Sequence, residues 1–242
     1  MRDLLPSAVA VAVAEPDDWT GHLYATEAAG LGDRAVTRRR RDFTAGRVCA
    51  RRAMTLLGLP PVAVPAAADR SPIWPPGTVG TITHTLDYCA AAVARSSEVR
   101  SVGMDAEQHK ELSPGVRRMI CLPEEVERCE RLPSGISWPA VVFSAKETVY
   151  KIWHPLVGTW LDFHDAFVEL DPEGGTFTAR IASARLDAAP VGDPPARISG
   201  RFVVEASLVR TAAALLPPWL LYTSDAADDK ARLRFRDHAV GE

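Results

Sequence analysis

The stretch Phe143-Ser-Ala-Lys-Glu-Thr-Val-Tyr-Lys151 sets charges into a segment that, with Val141, Val142, Ile152 and Trp153, is apolar over most of a helical circumference. Charges in such a helix have few solvated faces and need partners. Val102-Gly-Met-Asp-Ala-Glu107 is the candidate, because Asp105 and Glu107 stand two residues apart and share one face of a strand. Glu147 and Lys151 stand four apart, on one helical stripe. Taken singly, the first pair reads as the polar side of an edge strand and the second as a helix-surface ion pair. Together they supply three carboxylates and two lysines, an inventory for a divalent metal and a polyphosphate. Mg²⁺ is usually held by one or two carboxylates, water and substrate phosphates.

The chain of 242 residues suffices for one large domain or two small ones with a sizeable core. A net charge of −3 points to neither nucleic acid nor membrane as partner. Cys49, Cys89, Cys121 and Cys129 lack metal-ligand spacing and read as reduced core thiols, as in a cytoplasmic protein. The alternating Ser7-Ala-Val-Ala-Val-Ala-Val-Ala14 suits a strand better than a leader, and no run approaches a membrane span.

Two halves of similar order are expected. In the first, a strand at Ala8–Ala14 and a short helix at Asp17–Glu27 precede a basic helix from about Ala35 to Leu57, stopped by Gly58 and Pro60. Strands follow at Thr78–Thr83, Cys89–Ala94 and Arg100–Asp105, the first two joined tightly at Leu86-Asp87. The second half has helical segments at Pro114–Cys121 and Pro123–Arg131, then the charged apolar helix from Pro139. A hairpin, Phe167–Leu170 with Thr176–Ile181, leads through a Pro/Ala/Asp-rich loop at Leu186–Pro195 to strands Gly200–Glu205 and Leu208–Leu215.

Arg40, Arg47 and Arg51, spaced by seven and four, fall on one face of the basic helix, with Arg39 close by. A stripe of this kind is either a solvated face or an anion-binding wall, since guanidinium forks grip phosphate. His84 ends a strand and reads as structural or exposed unless a ligand meets it.

These segments resemble the signature pair of the Sfp-type 4′-phosphopantetheinyl transferases, a Gly-hydrophobic-Asp-x-Glu strand and a Phe-Ser/Cys-x-Lys-Glu-x-x-x-Lys helix. Arg40-Arg-Asp-Phe-Thr-Ala-Gly-Arg-Val-Cys-Ala-Arg51 and Trp74-Pro-Pro-Gly-Thr-Val-Gly-Thr-Ile-Thr-His-Thr85 are similar to further motifs of that family. Lys151-Ile-Trp-His-Pro-Leu and Trp160-Leu-Asp-Phe resemble its actinobacterial and enterobactin-type branch. The likeness runs from about Val36 to about Leu216.

The resemblance implies an α+β pseudo-dimer of two subdomains, helices packed on antiparallel sheets, with the active site in the cleft between. The division falls at residues 1–108 and 109–218. It implies a monomeric transferase that moves the 4′-phosphopantetheine arm of coenzyme A to a serine of an acyl or peptidyl carrier protein, releasing 3′,5′-ADP. Asp105, Glu107 and Glu147 would hold Mg²⁺, with Mn²⁺ as an alternative. Lys146 and Lys151 would offset the remaining charge of the pyrophosphate. Arg39, Arg47 and Arg51 would hold the 3′-phosphate, the run Arg38–Arg41 permitting a one-residue slip. Thr83 and His84 stand in the family's Ser-His-Ser/Thr element, whose histidine contacts the coenzyme phosphates. Glu147 is the expected base, with Glu107 or a metal-bound water as alternatives; Lys151 and Asp105 complete the catalytic set.

A non-catalytic coenzyme-A- or nucleotide-binding protein and a Mg²⁺-dependent pyrophosphohydrolase are the competing functions. An apolar patch with a basic rim is expected for the carrier's acidic helix, at Met119, Ile120 and Leu122 beside Arg117 and Arg118; an inward-packed amphipathic helix is the alternative. From Trp219 the likeness stops. Leu220-Leu-Tyr-Thr-Ser-Asp-Ala-Ala-Asp-Asp229 resembles a translated sequencing adapter, and residues 219–242 read as a tail not selected with the fold, a short terminal helix being the alternative.

Overall fold

The computed structural model describes residues 1–31, 36–189 and 193–217. The tail reading falls outside these residues. In the first half, β1 (Val9–Val13) and β2 (Thr78–Thr85) flank β3 (Tyr88–Arg95) in an antiparallel sheet of order β1-β3-β2. The Ala/Val alternation of β1 buries Val9 and Val11. The β2–β3 hairpin closes from Thr85↔Tyr88 through Leu86-Asp87. A helix expected over Asp17–Glu27 is two pieces, a 3₁₀ turn at Pro16–Thr20 and α1 (Ala25–Ala29). Gly21, extended, ends the first, and Glu27 starts the second by accepting the Tyr24 amide at 2.9 Å.

The basic helix α2 (Thr37–Leu56) lies across this sheet, burying Cys49, Ala50, Ala53 and Met54 against Ala91 and Val93. Gly58 follows its end at φ +68°, a conformation glycine adopts without Cβ strain.

The second half repeats helix on sheet at larger size. β4 (Ser101–Gln108) is followed by α3 (Pro114–Ile120), α4 (Pro123–Cys129) and α5 (Trp138–Val157). Then come β5 (Ala166–Asp171), β6 (Thr176–Ile181), α6 (Ser183–Asp187), β7 (Arg197–Val204) and β8 (Leu208–Leu215). The sheet is antiparallel in order β4-β8-β7-β6-β5. α5 is the charged apolar helix, and Val141, Ala145, Val149, Ile152 and Trp153 are buried in the main core. The architecture is thus mixed α and β with two antiparallel sheets, each carrying one helix of 20 residues.

A division after residue 108 puts β4 in the first half, yet its ladder runs to β8 from Ser101↔Leu215 to Gln108↔Leu208. The strand also meets the first half. Val102 and Met104 share a core with Val9, Val11, Ala90 and Ala92, and the Ala106 amide donates to the Thr83 hydroxyl of β2 at 3.0 Å. β4 therefore carries Asp105 along the seam between the halves.

Gly103 sets the depth of that seam. A Cβ there would sit on the Thr148 carbonyl oxygen of α5 and against Ile152. Overpacking of this kind costs about 1–3 kcal/mol. Gly103→Ala should lower the denaturant midpoint by a corresponding amount, and an unchanged midpoint would show that α5 and β4 are not pressed together here.

Candidate active site

Asp105 is 3 % exposed and is surrounded by donors from two elements, α5 and β2. Its Oδ1 accepts from Lys151 Nζ of α5 at 2.6 Å and from Thr83 Oγ1 of β2 at 3.3 Å. Its Oδ2 accepts from Ser144 Oγ of α5 at 2.9 Å. Lys151 also donates to the Met104 carbonyl at 3.1 Å. The surface pairing of Lys151 with Glu147 is not formed; the lysine spends its charge on a carboxylate 46 residues away.

Ser144, Glu147, Thr148 and Lys151 follow the i, i+3, i+4, i+7 spacing of one helical stripe. Glu147 and Glu107 are half-buried, and neither has an ion-pair partner among the described residues. Burial pushes the Glu107 carboxyl up to about 7; the charges of Asp105 and Glu147 add to the shift, and Lys151 opposes it. Burial likewise raises Glu147, against Lys151 and with Asp105. Glu107 thus feels both other carboxyls and Glu147 feels Asp105, with Lys151 opposing each shift.

A divalent cation fits this donor set: the ligands are hard oxygens, and the local excess of negative charge is what a cation relieves. Among the described residues no three Asp, Glu, His or Cys side chains close into a cage. That suits an ion completed by water and phosphate rather than one enclosed by protein.

Lys146 is a correction to the sequence reading. It lies about 200° around α5 from Ser144, at 100° per residue, and so points into the second-half core. Its ammonium, 3 % exposed with its residue, donates to Glu125 Oε2 at 2.7 Å, the Phe163 carbonyl at 2.7 Å and the Ile120 carbonyl at 2.9 Å. All three protons are used, leaving none for a phosphate. Glu125 in turn accepts the amides of Leu122 and Val168, each at 2.7 Å. The pair ties α3, α4 and β5 to α5.

Two cavities lie close by, one of them lined by Lys151 itself. The first, about 440 Å³, is lined by Arg38, Arg39, Asp42, Phe43, Arg47 and His84 among others. Arg47 stacks over Phe43 at 3.8 Å and donates Nε to the Val64 carbonyl at 3.0 Å; its Nη2 is buried without a partner among the described residues. Burial lowers Arg47 to about 10, leaving it charged at neutral pH. Burial also lowers His84, whose Nδ1 stands 3.7 Å from Asp42 Oδ2. The second cavity, about 610 Å³, is lined by Trp74, Tyr150, Lys151, His154 and Trp160 among others. Arg70 and Ile82 line both, so the two adjoin.

The chain matches the 4′-phosphopantetheinyl transferase N-terminal domain over residues 27–94 and the 4′-phosphopantetheinyl transferase superfamily over residues 101–193. It is 41% identical over 213 residues to the 4′-phosphopantetheinyl transferase Svp of Streptomyces mobaraensis, covering 84% of this chain and 82% of that protein. It is 40% identical over 192 residues to the 4′-phosphopantetheinyl transferase PptT of Mycobacterium tuberculosis, covering 78% and 85%. The chain belongs to the 4′-phosphopantetheinyl transferase superfamily. A more distant relative, 31% identical over about half of each chain, is the enterobactin synthase component D of Salmonella typhi.

In this transferase the structure brings Arg39, Arg47 and His84 to one cavity, and Asp105, Glu107, Glu147 and Lys151 to the seam beside it. Two further expected ligand contacts lie elsewhere. Arg51 is one turn beyond Arg47 on the same stripe, past the cavity, where it bonds Glu27 Oε2 and the His22 carbonyl, each at 2.5 Å. Glu27 is fully buried and needs that charge. Thr83 and His84 are split by the strand's period of two: His84 faces the first cavity, whereas Thr83 turns inward and gives its proton to Asp105. Of the arginine run, Arg38 and Arg39 line the cavity, while Arg41 bonds Asp87 at 2.8 Å.

Tyr150, Trp160, Trp74, Arg70 and Asp42 line the cavities without having been expected there. Their types were visible, but nothing in their spacing joined segments 42, 70–74 and 150–160.

The carboxyl shifts carry a pH consequence. A carboxyl that binds its proton more tightly folded than unfolded makes stability fall as pH rises from about 4.5 through about 7. Thermal melts of the metal-free transferase should show this fall, and Glu107→Gln or added Mg²⁺ should reduce it. A melting temperature flat across the range in the metal-free wild type would contradict the carboxyl cluster.

Proposed function

We propose that this transferase moves the 4′-phosphopantetheine arm of coenzyme A onto a serine of an apo acyl or peptidyl carrier protein, releasing 3′,5′-ADP. The supporting observation is the polarity of the cleft. A basic cavity with Arg39, Arg47 and His84 adjoins an aromatic one with Trp74, Tyr150 and Trp160, and the carboxylates with Lys151 lie at the seam. Coenzyme A has the same polarity: an anionic 3′-phosphonucleotide, a pyrophosphate, and a largely neutral pantetheine arm.

The unspent Arg47 Nη2 suits the 3′-phosphate, with Arg39 from the same helix. His84, exposed at the cavity, can donate a ring N–H to a phosphate oxygen. Asp105, Glu107 and Glu147 would hold Mg²⁺, which supplies charge neutralisation at the pyrophosphate. Lys151 orients Asp105 and presents the one ammonium at the seam. Glu147 takes the serine proton; burial raises its proton affinity, and the same holds for Glu107, the second carboxyl able to serve.

For carrier docking, Met119 is 59% exposed and Val116 37%, beside exposed Arg118 and half-buried Arg117. Ile120 is buried in the core, which narrows the apolar patch to Val116 and Met119. An acidic carrier helix suits this face of α3. Among the described residues no helix is long and apolar enough to cross a membrane.

Mass spectrometry of an apo-carrier incubated with the protein, coenzyme A and Mg²⁺ should reveal a holo-carrier. Glu147→Ala should nearly abolish it while the melts show a folded protein, and Asp105→Ala should abolish it with a lowered melting temperature, since Lys151, Thr83 and Ser144 lose their acceptor. Binding without transfer would favour a coenzyme-A-binding protein, and hydrolysed coenzyme without holo-carrier a pyrophosphohydrolase.

Calorimetry should find coenzyme A bound more tightly than dephospho-coenzyme A. Arg47→Ala should shrink that preference by about 1.5–3 kcal/mol, the usual worth of a charge-assisted hydrogen bond. Equal wild-type affinities for the two would remove the 3′-phosphate assignment.

A further inference from the structure

We propose that Ser144 and Thr211 are positioning residues for Asp105, the two inner links of a one-way hydroxyl chain that fixes the plane of the carboxylate presented to a metal. The inference rests on the reading of Asp105 as a metal ligand. It concerns a strand, β8, that no signature motif includes.

The chain lies where α5 crosses β4 and β8, and Ser144, Thr148 and Thr211 are all fully buried. Thr148 Oγ1 stands 2.7 Å from Thr211 Oγ1, which stands 2.9 Å from Ser144 Oγ, which stands 2.9 Å from Asp105 Oδ2. Each hydroxyl has one proton. Asp105, as the carboxylate paired with the Lys151 ammonium, can only accept. Ser144 must therefore donate to Asp105. That leaves Thr211 as the donor toward Ser144, shared between the Ser144 hydroxyl and its carbonyl at 2.9 Å. Thr148 is then the donor toward Thr211, with the Thr211 carbonyl at 3.3 Å as its second acceptor. Every proton points at Asp105, and links oriented this way polarise one another.

The chain also fixes what Asp105 has left to offer. A carboxylate has about four acceptor positions. Lys151 and Thr83 fill Oδ1, and Ser144 fills one position on Oδ2. One position on Oδ2 remains. Without the Ser144 proton, the carboxylate plane could turn about χ2 away from the orientation that presents this position; with it, the orientation is held from inside the protein.

Mn²⁺ binding to the full chain, followed by the electron paramagnetic resonance of free Mn²⁺, tests this without turnover. Loss of an outer-shell partner typically weakens metal affinity 10–100-fold, so Ser144→Ala should bind Mn²⁺ about tenfold more weakly. Thr211→Val keeps the shape and removes the hydroxyl; it should weaken binding by roughly threefold or more, less than the direct partner. Thr211→Ser restores the hydroxyl and should bind as the wild type does. Melts accompany each variant, and if Ser144→Ala does not fold, the Val and Ser replacements at Thr211 carry the decision alone. Thr211→Val with wild-type Mn²⁺ affinity overturns the proposal, and so does Thr211→Ser as weak as Thr211→Val, which would make the effect one of packing. Asp105→Asn separates the two levels: if it binds as the wild type does, the metal reading falls together with the chain.

Discussion

Asp105 is a carboxylate almost out of water, and an ion there persists only where charge and hydrogen bonds replace the lost hydration. Lys151, Thr83 and Ser144 do so from α5 and from β2. Lys151 and Ser144 reach it because α5 lies directly on β4, where Gly103 leaves its backbone room. The Gly, the Asp, the Ser and the Lys of the two signature segments are therefore one mechanical unit. β2 belongs to the first half and α5 to the second, so the same carboxylate fastens the halves at the cleft.

The two charges at positions 146 and 147 show how one helix serves two purposes. Lys146 turns into the core, where Glu125 and two carbonyls saturate it and fix the ends of α3 and α4. Glu147 turns to the seam and is left without an ion-pair partner among the described residues. The core charge is neutralised inside the fold, while the seam keeps three carboxylates against Lys151. Burial raises Glu107 and Glu147 and the neighbouring carboxyls add to the shift, an excess of negative charge that a cation with an anionic substrate would relieve. The two adjoining cavities differ in kind because α2 lends arginines to one, whereas Tyr150 of α5 joins Trp74 and Trp160 at the other.

The sequence by itself determined most of the elements. Alternation marked β1, apolar periodicity marked α5, and turn residues placed the hairpins, because these depend on local backbone chemistry and on burial of one face. It also determined the inventory of the site, since Asp105 with Glu107 and Glu147 with Lys151 follow from strand and helix periods, and the family likeness joined the two segments. The tertiary structure alone decided how those side chains are spent. Lys146 and Arg51 carry the right charge at the right spacing, yet each meets a buried glutamate, Glu125 or Glu27, that lies distant in sequence. Thr83 and His84 are neighbours that the pleat sends in opposite directions. Trp74, Tyr150 and Trp160 form one cavity wall only after the halves close, and Thr211 joins Asp105 only through β8. A residue's type and period fix which face it can occupy; what stands opposite that face is set by packing between segments far apart in the chain.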